Sequence, residues 1–234
     1  IITSTAEHKA VLDTCAFLET QGCRVTYLHP GPDGGLASLE TLAAALAGVP
    51  VCIALMYANN ETGVINPVKE IGAVASRHGI CFFCDATQAV GKIRVAVMRD
   101  NIDLMAFSAH KMYGPKGVGA LYDGTRDAPY RLTAQMHGGA QEKGFRSGTL
   151  NVPGIVGFGQ AAALCDEIME SEQCRLWKLR DRIEAVLCAE IAGARVNGAG
   201  RRLPHVSNRQ VPGADAEQLL LSLSRFMAAS RGSA

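Results

Sequence analysis

A chain of 234 residues with 48% apolar content is long enough for one large domain, or one domain and part of a second, around a sizeable core. A formal charge of +1 gives no electrostatic case for nucleic acid or an anionic membrane as a partner. No apolar run approaches the roughly 20 residues of a membrane helix, and no charged-then-apolar leader opens the sequence, so the expectation is a soluble globular protein.

In chain order, short apolar runs alternate with amphipathic segments. Residues 1–5 (IITST) read as a strand and 6–21 as a helix, with Val11, Cys15 and Leu18 on one face and Gly22 as its stop. Residues 24–28 form the next strand and 32–35 (PDGG) a turn; Ser38 then caps a helix carrying Leu39, Leu42 and Leu46. The apolar run 51–57 (VCIALMY) is a strand ended by Asn59-Asn60-Glu61-Thr62-Gly63. A helix from Pro67 to His78 follows, with proline near its first turn. Residues 79–85, 103–108 and 117–122 are three further strands. After Asn151 the texture changes to one long helical stretch over 152–191, a glycine- and arginine-rich loop over 193–202, a short strand near 205–211 and a helix from Asp215.

Strand–helix–strand alternation, with strands apolar on both faces, predicts an α/β domain on a mainly parallel sheet. Residues 1–165 are assigned to this large domain and 166–234 to the start of a smaller C-terminal one. Eight cysteines are scattered through apolar text; Cys81 and Cys84 make a C-x-x-C within a strand, where alternation sends the two sulfurs to opposite faces. Reduced, mostly buried thiols in a cytosol-like compartment are expected.

Ligands of parallel sheets collect at the carboxyl ends of the strands. Here Asn59 and Asn60 follow one strand, Asp85 ends the next with Thr87 and Gln88 behind it, and Ser108, His110 and Lys111 end a third. Neither GxGxxG nor GxxxxGK[ST] is present, so dinucleotide and nucleoside triphosphate readings lack a phosphate cradle. A lysine, an aspartate and phosphate-binding hydroxyls are the groups pyridoxal 5'-phosphate (PLP) needs. Taken alone, Asp85 also suits a helix cap or turn, and Lys111 a solvated side chain.

Five segments in order, EHKAV (7–11), NNETGV (59–64), DATQAVGK (85–92), SAHKMYGPKG (108–117) and MHGGAQEKGFRSGT (136–149), closely resemble the cysteine desulfurases. These are PLP-dependent class V enzymes of the fold-type-I, aspartate-aminotransferase-like architecture. The similarity runs through nearly the whole chain, up to the final ASRGSA. The resemblance implies that Lys111 carries the cofactor and later shuttles a proton, that Asp85 pairs with the pyridinium nitrogen, and that Gln88 and Asn60 bond the phenolic oxygen or its surroundings. It further implies that His8 stacks on the ring and assists proton transfer, and that Ser108 and His110 bind the phosphate. Thr149 would reach the phosphate of a neighbouring subunit, which implies a homodimer. On residue type alone His8 is equally a cap or surface histidine, and Thr149 a turn terminator.

The implied reaction turns L-cysteine into L-alanine, with sulfur passed as an enzyme persulfide to an acceptor or iron–sulfur scaffold protein in the cytoplasm (alternatively the mitochondrial matrix). The sequence opens without methionine in a strand and stops in a small-residue loop, so both ends read as cut. The family's nucleophilic cysteine follows a Gly-Ser-Ala and is expected directly after Ala234; the phosphate-cupping loop is expected before Ile1 and the carboxylate-binding arginine beyond Ala234. This stretch alone is therefore expected to be inactive. Alternatives are a selenocysteine lyase, another class V lyase or aminotransferase, or a non-catalytic truncated product.

Overall fold

The structure, a computed structural model, describes residues 1–36, 38–125, 130–198 and 200–229. Its centre is a six-stranded sheet of β1 (Ile2–Ser4), β2 (Thr26–Leu28), β3 (Cys52–Ala54), β4 (Cys81–Asp85), β5 (Leu104–Ser108) and β6 (Gly119–Asp123), in the order β2-β1-β3-β4-β5-β6. Every neighbouring pair is parallel except β5 with β6. The reversal has a simple cause: the connection 109–118 between β5 and β6 is too short for the crossover a parallel return needs. β3 keeps a formal ladder over only three residues of the apolar run 51–57, yet its bonding to β4 continues through Leu55 N–H to Phe83 O (3.1 Å) and Tyr57 N–H to Asp85 O (2.8 Å).

Helices cover both faces, as strands apolar on both sides require. On one face Val11 and Cys15 of α1 (Lys9–Thr20) pack with Ala54. On the other, Leu42 of α2 (Leu39–Ala45) and Val68, Ile71, Val74 and Ala75 of α3 (Val68–Arg77) close over Ile2, Ile53, Leu55, Phe82 and Cys84. The caps agree with the sequence: Ser38 Oγ accepts from Thr41 N–H at 3.0 Å, and Gly22, at φ +88°, follows the end of α1. The first helix starts three residues later than expected, because residues 5–8 fold into a turn with His8 as the cap.

α4 (Val152–Glu190) is one 39-residue helix, about 58 Å long at 1.5 Å per residue. Gly154, Ala161, Cys165 and Met169 form its buried seam. Beyond it, the loop expected over 193–202 contains a strand, β7 (Arg195–Asn197), which pairs antiparallel with β8 (Asn208–Gln210); alternation in so short a run is invisible in the text. The segment between them returns to the main core, where Leu203 is fully buried and donates its N–H to Gly63 O at 2.7 Å. α5 (Ala216–Leu223) is capped by Asp215, whose Oδ1 accepts from Gln218 N–H at 2.9 Å. The family-like ending, ASRGSA, runs from Ser230 onward outside the described residues.

All eight cysteines are free thiols, but the expectation that most are buried holds for only four, Cys15, Cys81, Cys84 and Cys165. Cys23, Cys174 and Cys188 are exposed, since they follow α1 or lie on outward faces of α4. No described helix is long and apolar enough to cross a membrane.

The tightest approach in the core is α3 against the chain leading into β5. Asp100 is 1% exposed; its carboxylate accepts from Arg99 Nε at 2.8 Å and Tyr57 OH at 3.2 Å, and its carbonyl oxygen lies against Gly72. A Cβ on Gly72 would collide with that oxygen. Gly72→Ala should therefore destabilise by about 1–3 kcal/mol in urea unfolding despite alanine's better helix propensity. Gly48→Ala, where a Cβ meets nothing within 4 Å, should stay within about 0.5 kcal/mol.

Candidate active site

The strand order turns at β1 and β3: the chain leaves β1 toward β2 on one side, while the later strands add on the other. Such a reversal opens a crevice at the carboxyl ends of the strands. Four segments meet this rim, namely 5–8 after β1, 55–66 after β3, 86–91 after β4 and 109–118 after β5.

Lys111 lies in a single 3-10 turn, Ala109–Met112, following β5. Ala109 (0% exposed) and Met112 (2%) anchor the turn, so His110 and Lys111 between them are held outward. Two residues of the connection after Lys111 are left-handed: Gly117, at φ +78°, and Tyr113, directly after the turn, at φ +65°. A bulky side chain rarely adopts that conformation. Its ring is engaged by the nearly buried Lys92, whose Nζ sits 3.5 Å from the ring centroid.

Asp85 ends β4, and its Oδ1 accepts from Thr87 N–H at 2.9 Å. Gln88 is half-buried in the turn that follows, pinned by Ala86 and Ala89, both fully buried. Gly91 in that turn has φ +76°, and a Cβ there would stand 2.8 Å from Met112 Cβ. Glycine thus lets the Asp85 segment pack directly on the Lys111 turn. At the end of β5, Ser108 Oγ and His110 Nδ1 are 2.7 Å apart, a hydroxyl–imidazole pair beside Lys111.

Across the rim, His8 caps α1 by accepting Ala10 N–H at Nδ1 (3.2 Å), and its ring is exposed. Asn60 is half-buried behind β3. Its neighbour Asn59 is the structural one: Oδ1 accepts from Glu61 N–H, Thr62 N–H and Thr62 Oγ1, and Nδ2 donates to Ala6 O at 2.9 Å. Thr149 is exposed in the loop before α4 and sits at none of the strand ends.

The structure thus brings Asp85, Gln88, Ser108, His110 and Lys111 onto two adjoining segments, with His8 and Asn60 on the neighbouring strand exits, and leaves Thr149 apart. Sequence reasoning passed over two participants. Glu7 is 6% exposed and accepts Met56 N–H at 2.9 Å; burial, with the nearby Asp85 adding to it, pushes its carboxyl up to about 8. Lys92 is the other, and Asn59, placed at the strand end by its sequence, had no structural role assigned to it. The available signal was their place inside the quoted motifs, beside residues that had chemical assignments. An amine, a carboxylate with one oxygen outside the Thr87 bond, and a hydroxyl–imidazole pair on adjoining strand ends form a donor set that fits PLP.

Known proteins bear on this arrangement. The chain is 46% identical over its whole length to the cysteine desulfurase IscS of Anaeromyxobacter dehalogenans strain 2CP-C, of which it covers 57%. It superimposes with a TM-score of 0.88 at 34% identity on a NifS-like protein, covering 96% of this chain and 61% of that one. With DndA of Streptomyces lividans the TM-score is 0.84 at 36% identity, covering 96% and 63%. The chain therefore spans a little over half the length of the curated relatives it matches. The aminotransferase class-V pattern runs over residues 1–232, and the chain belongs to that family of PLP-dependent enzymes.

Proposed function

We propose that this chain is the cofactor-holding part of a PLP-dependent cysteine desulfurase, a sulfurtransferase that converts L-cysteine to L-alanine. Sulfur leaves as an enzyme persulfide for an acceptor or iron–sulfur scaffold protein. The observation that carries the reading is the convergence of Asp85, the Ser108–His110 pair and Lys111 on adjoining strand ends. Its support from relatives is the 46% identity that runs over all of this chain, and over 57% of the relative, to a protein of that name.

PLP supplies an electron sink for bond changes at the substrate α-carbon. Asp85, as a carboxylate, holds the proton on the ring nitrogen through the oxygen not taken by Thr87. Ser108 and His110 donate to the phosphate, His8 stacks on the ring, and Gln88 and Asn60 bond the phenolic side. Lys111 holds the cofactor and then moves the proton at the substrate α-carbon. Its outward placement on a turn anchored by Ala109 and Met112 gives the amine that reach.

In the same reading residues 1–165 are the cofactor domain and 166–234 begin a smaller one. Thr149 serves a neighbouring subunit's phosphate in a homodimer. The exposed apolar residues Met136, Phe145, Val152 and Val156 near it in sequence suit a subunit contact. Eight free thiols fit a reducing compartment, the cytoplasm in the first instance.

Two variants test this in the full-length protein. Lys111→Ala should lower alanine release from cysteine by about 10²–10⁴-fold. Borohydride reduction should fix PLP on the Lys111 peptide of the wild type and leave the variant unlabelled. Asp85→Asn should cost about 10²–10³-fold in kcat, because a preorganised charge is lost at the electron sink. A protein that acts on selenocysteine while releasing no alanine from cysteine would overturn the desulfurase assignment.

A further inference from the structure

Glu7 sits where β1 and β3 part company. Its backbone N–H donates to Ser4 O at 3.2 Å, and its Oε1 accepts Met56 N–H at 2.9 Å, so one carboxyl spans the two strand exits that form the crevice. Asn59 ties the same loop through Ala6 O. Oε2 is buried without a hydrogen-bond partner, and among the described residues Glu7 makes no ion pair. The titratable groups around it are Asp85 and Cys84 on β4, Cys15 on α1, Asp33 in the turn that closes the small cavity beside it, and its chain neighbour His8. None of the groups on facing elements carries positive charge. A buried carboxylate in such company has no compensation, whereas a carboxylic acid keeps the Met56 bond without the charge.

We propose that Glu7 is a positioning residue that works as a neutral carboxylic acid. Its Oε1 holds the β1–α1 turn to Met56 so that His8 is presented to the site, and its proton keeps a second negative charge away from Asp85. The consequence for His8 and Asp85 rests on the PLP reading; the protonation itself does not. Burial, the largest cause, and the Asp85 charge both raise the carboxyl, toward about 8, against the lowering effect of the Met56 N–H.

Between the ordinary 4.5 and about 8 the folded chain keeps a proton that the unfolded chain has lost, so this group's contribution to stability falls as pH rises through that window. In the full-length apoprotein, the folding constant of the wild type relative to Glu7→Gln should drop up to about tenfold per pH unit across the middle of the window. The amide keeps an acceptor for Met56 and has no proton to lose. PLP affinity, read by absorbance titration, should weaken at least about fivefold from pH 7 to pH 9 in the wild type as Glu7 ionises beside Asp85. In Glu7→Gln it should hold, and in Glu7→Ala it should already be weak at pH 7.

Parallel pH–stability curves for wild type and Glu7→Gln would overturn the proposal. So would PLP binding by Glu7→Ala indistinguishable from the wild type. If Glu7→Ala does not fold, the Glu7→Gln comparison decides alone. If the wild type binds no PLP at any pH, the cofactor reading fails, and the stability curves still judge Glu7.

Discussion

The hydrogen bond from Tyr57 N–H to Asp85 O, 2.8 Å long, is the interaction on which the rim depends. It carries the pairing of β3 and β4 to the last residue of β4, beyond the formal ladder. Ala86 N–H then bonds Ala106 O at 2.9 Å and hands the same register to β5, whose last residue is Ser108. Asp85 and Ser108 therefore end their strands at related levels, and the segments carrying Asn59 and Lys111 leave from the same edge. Parallel strands impose this alignment, because each must be re-entered from the far side of the sheet. The Tyr57 ring reinforces it from below: its hydroxyl reaches the buried Asp100, and burial beside that carboxylate holds the phenol near 12, as a donor.

The polar groups at the rim are mounted on small or apolar residues that are fully buried. Ala86 and Ala89 bracket Thr87 and Gln88; Ala109 and Met112 bracket His110 and Lys111. An alanine has almost no side-chain entropy to lose on burial, so it fixes the backbone at little cost and leaves its polar neighbours facing the crevice. The Met112 anchor is shared: Gly91 approaches it from the Asp85 segment, and Cys165 of α4 donates its thiol to Met112 O at 3.6 Å. α4 thereby supports the lysine turn from behind. The same helix also holds the segment that follows Asp85, where Gln173 Nε2 donates to Lys92 O at 2.8 Å.

The architecture was legible in the sequence because the strands are apolar on both faces and the helices on one. Periodicity separates those patterns over the longer runs, and residues such as Ser38 and Gly22 mark where the helices start and stop. Direction was less legible. Gly119–Asp123 has the texture of its parallel neighbours, and only the length of the preceding connection marks it as antiparallel. β7 was hidden because three residues within a glycine- and arginine-rich stretch carry no period, and what makes them a strand is their partner β8. In the site, Asp85, Ser108 and Lys111 were visible as polar residues ending apolar runs. Asn59 was visible in the same way but not its role, and Glu7 was hidden, since a polar residue in a turn has a default reading as solvated; only tertiary contact reveals Met56 N–H and Ala6 O as their partners.

These less legible residues have something in common. Glu7 is a buried acid without a cation, Asn59 a buried amide, and Tyr113 an aromatic residue in a left-handed conformation over a nearly buried lysine. Each is a local feature that most of the chain avoids. Departures occur elsewhere too: Val49, Asn101 and the consecutive Glu142 and Lys143 also have positive φ, and none lies on a segment that meets the crevice. What distinguishes the rim is that three different kinds coincide on segments already joined by Tyr57–Asp85 and Gly91–Met112 contacts. A fold shaped by stability alone would tend to relieve a buried acid without a cation or a left-handed aromatic residue one at a time. Their concentration where the sheet topology opens a crevice is a physical argument for the location of the site, independent of any relative.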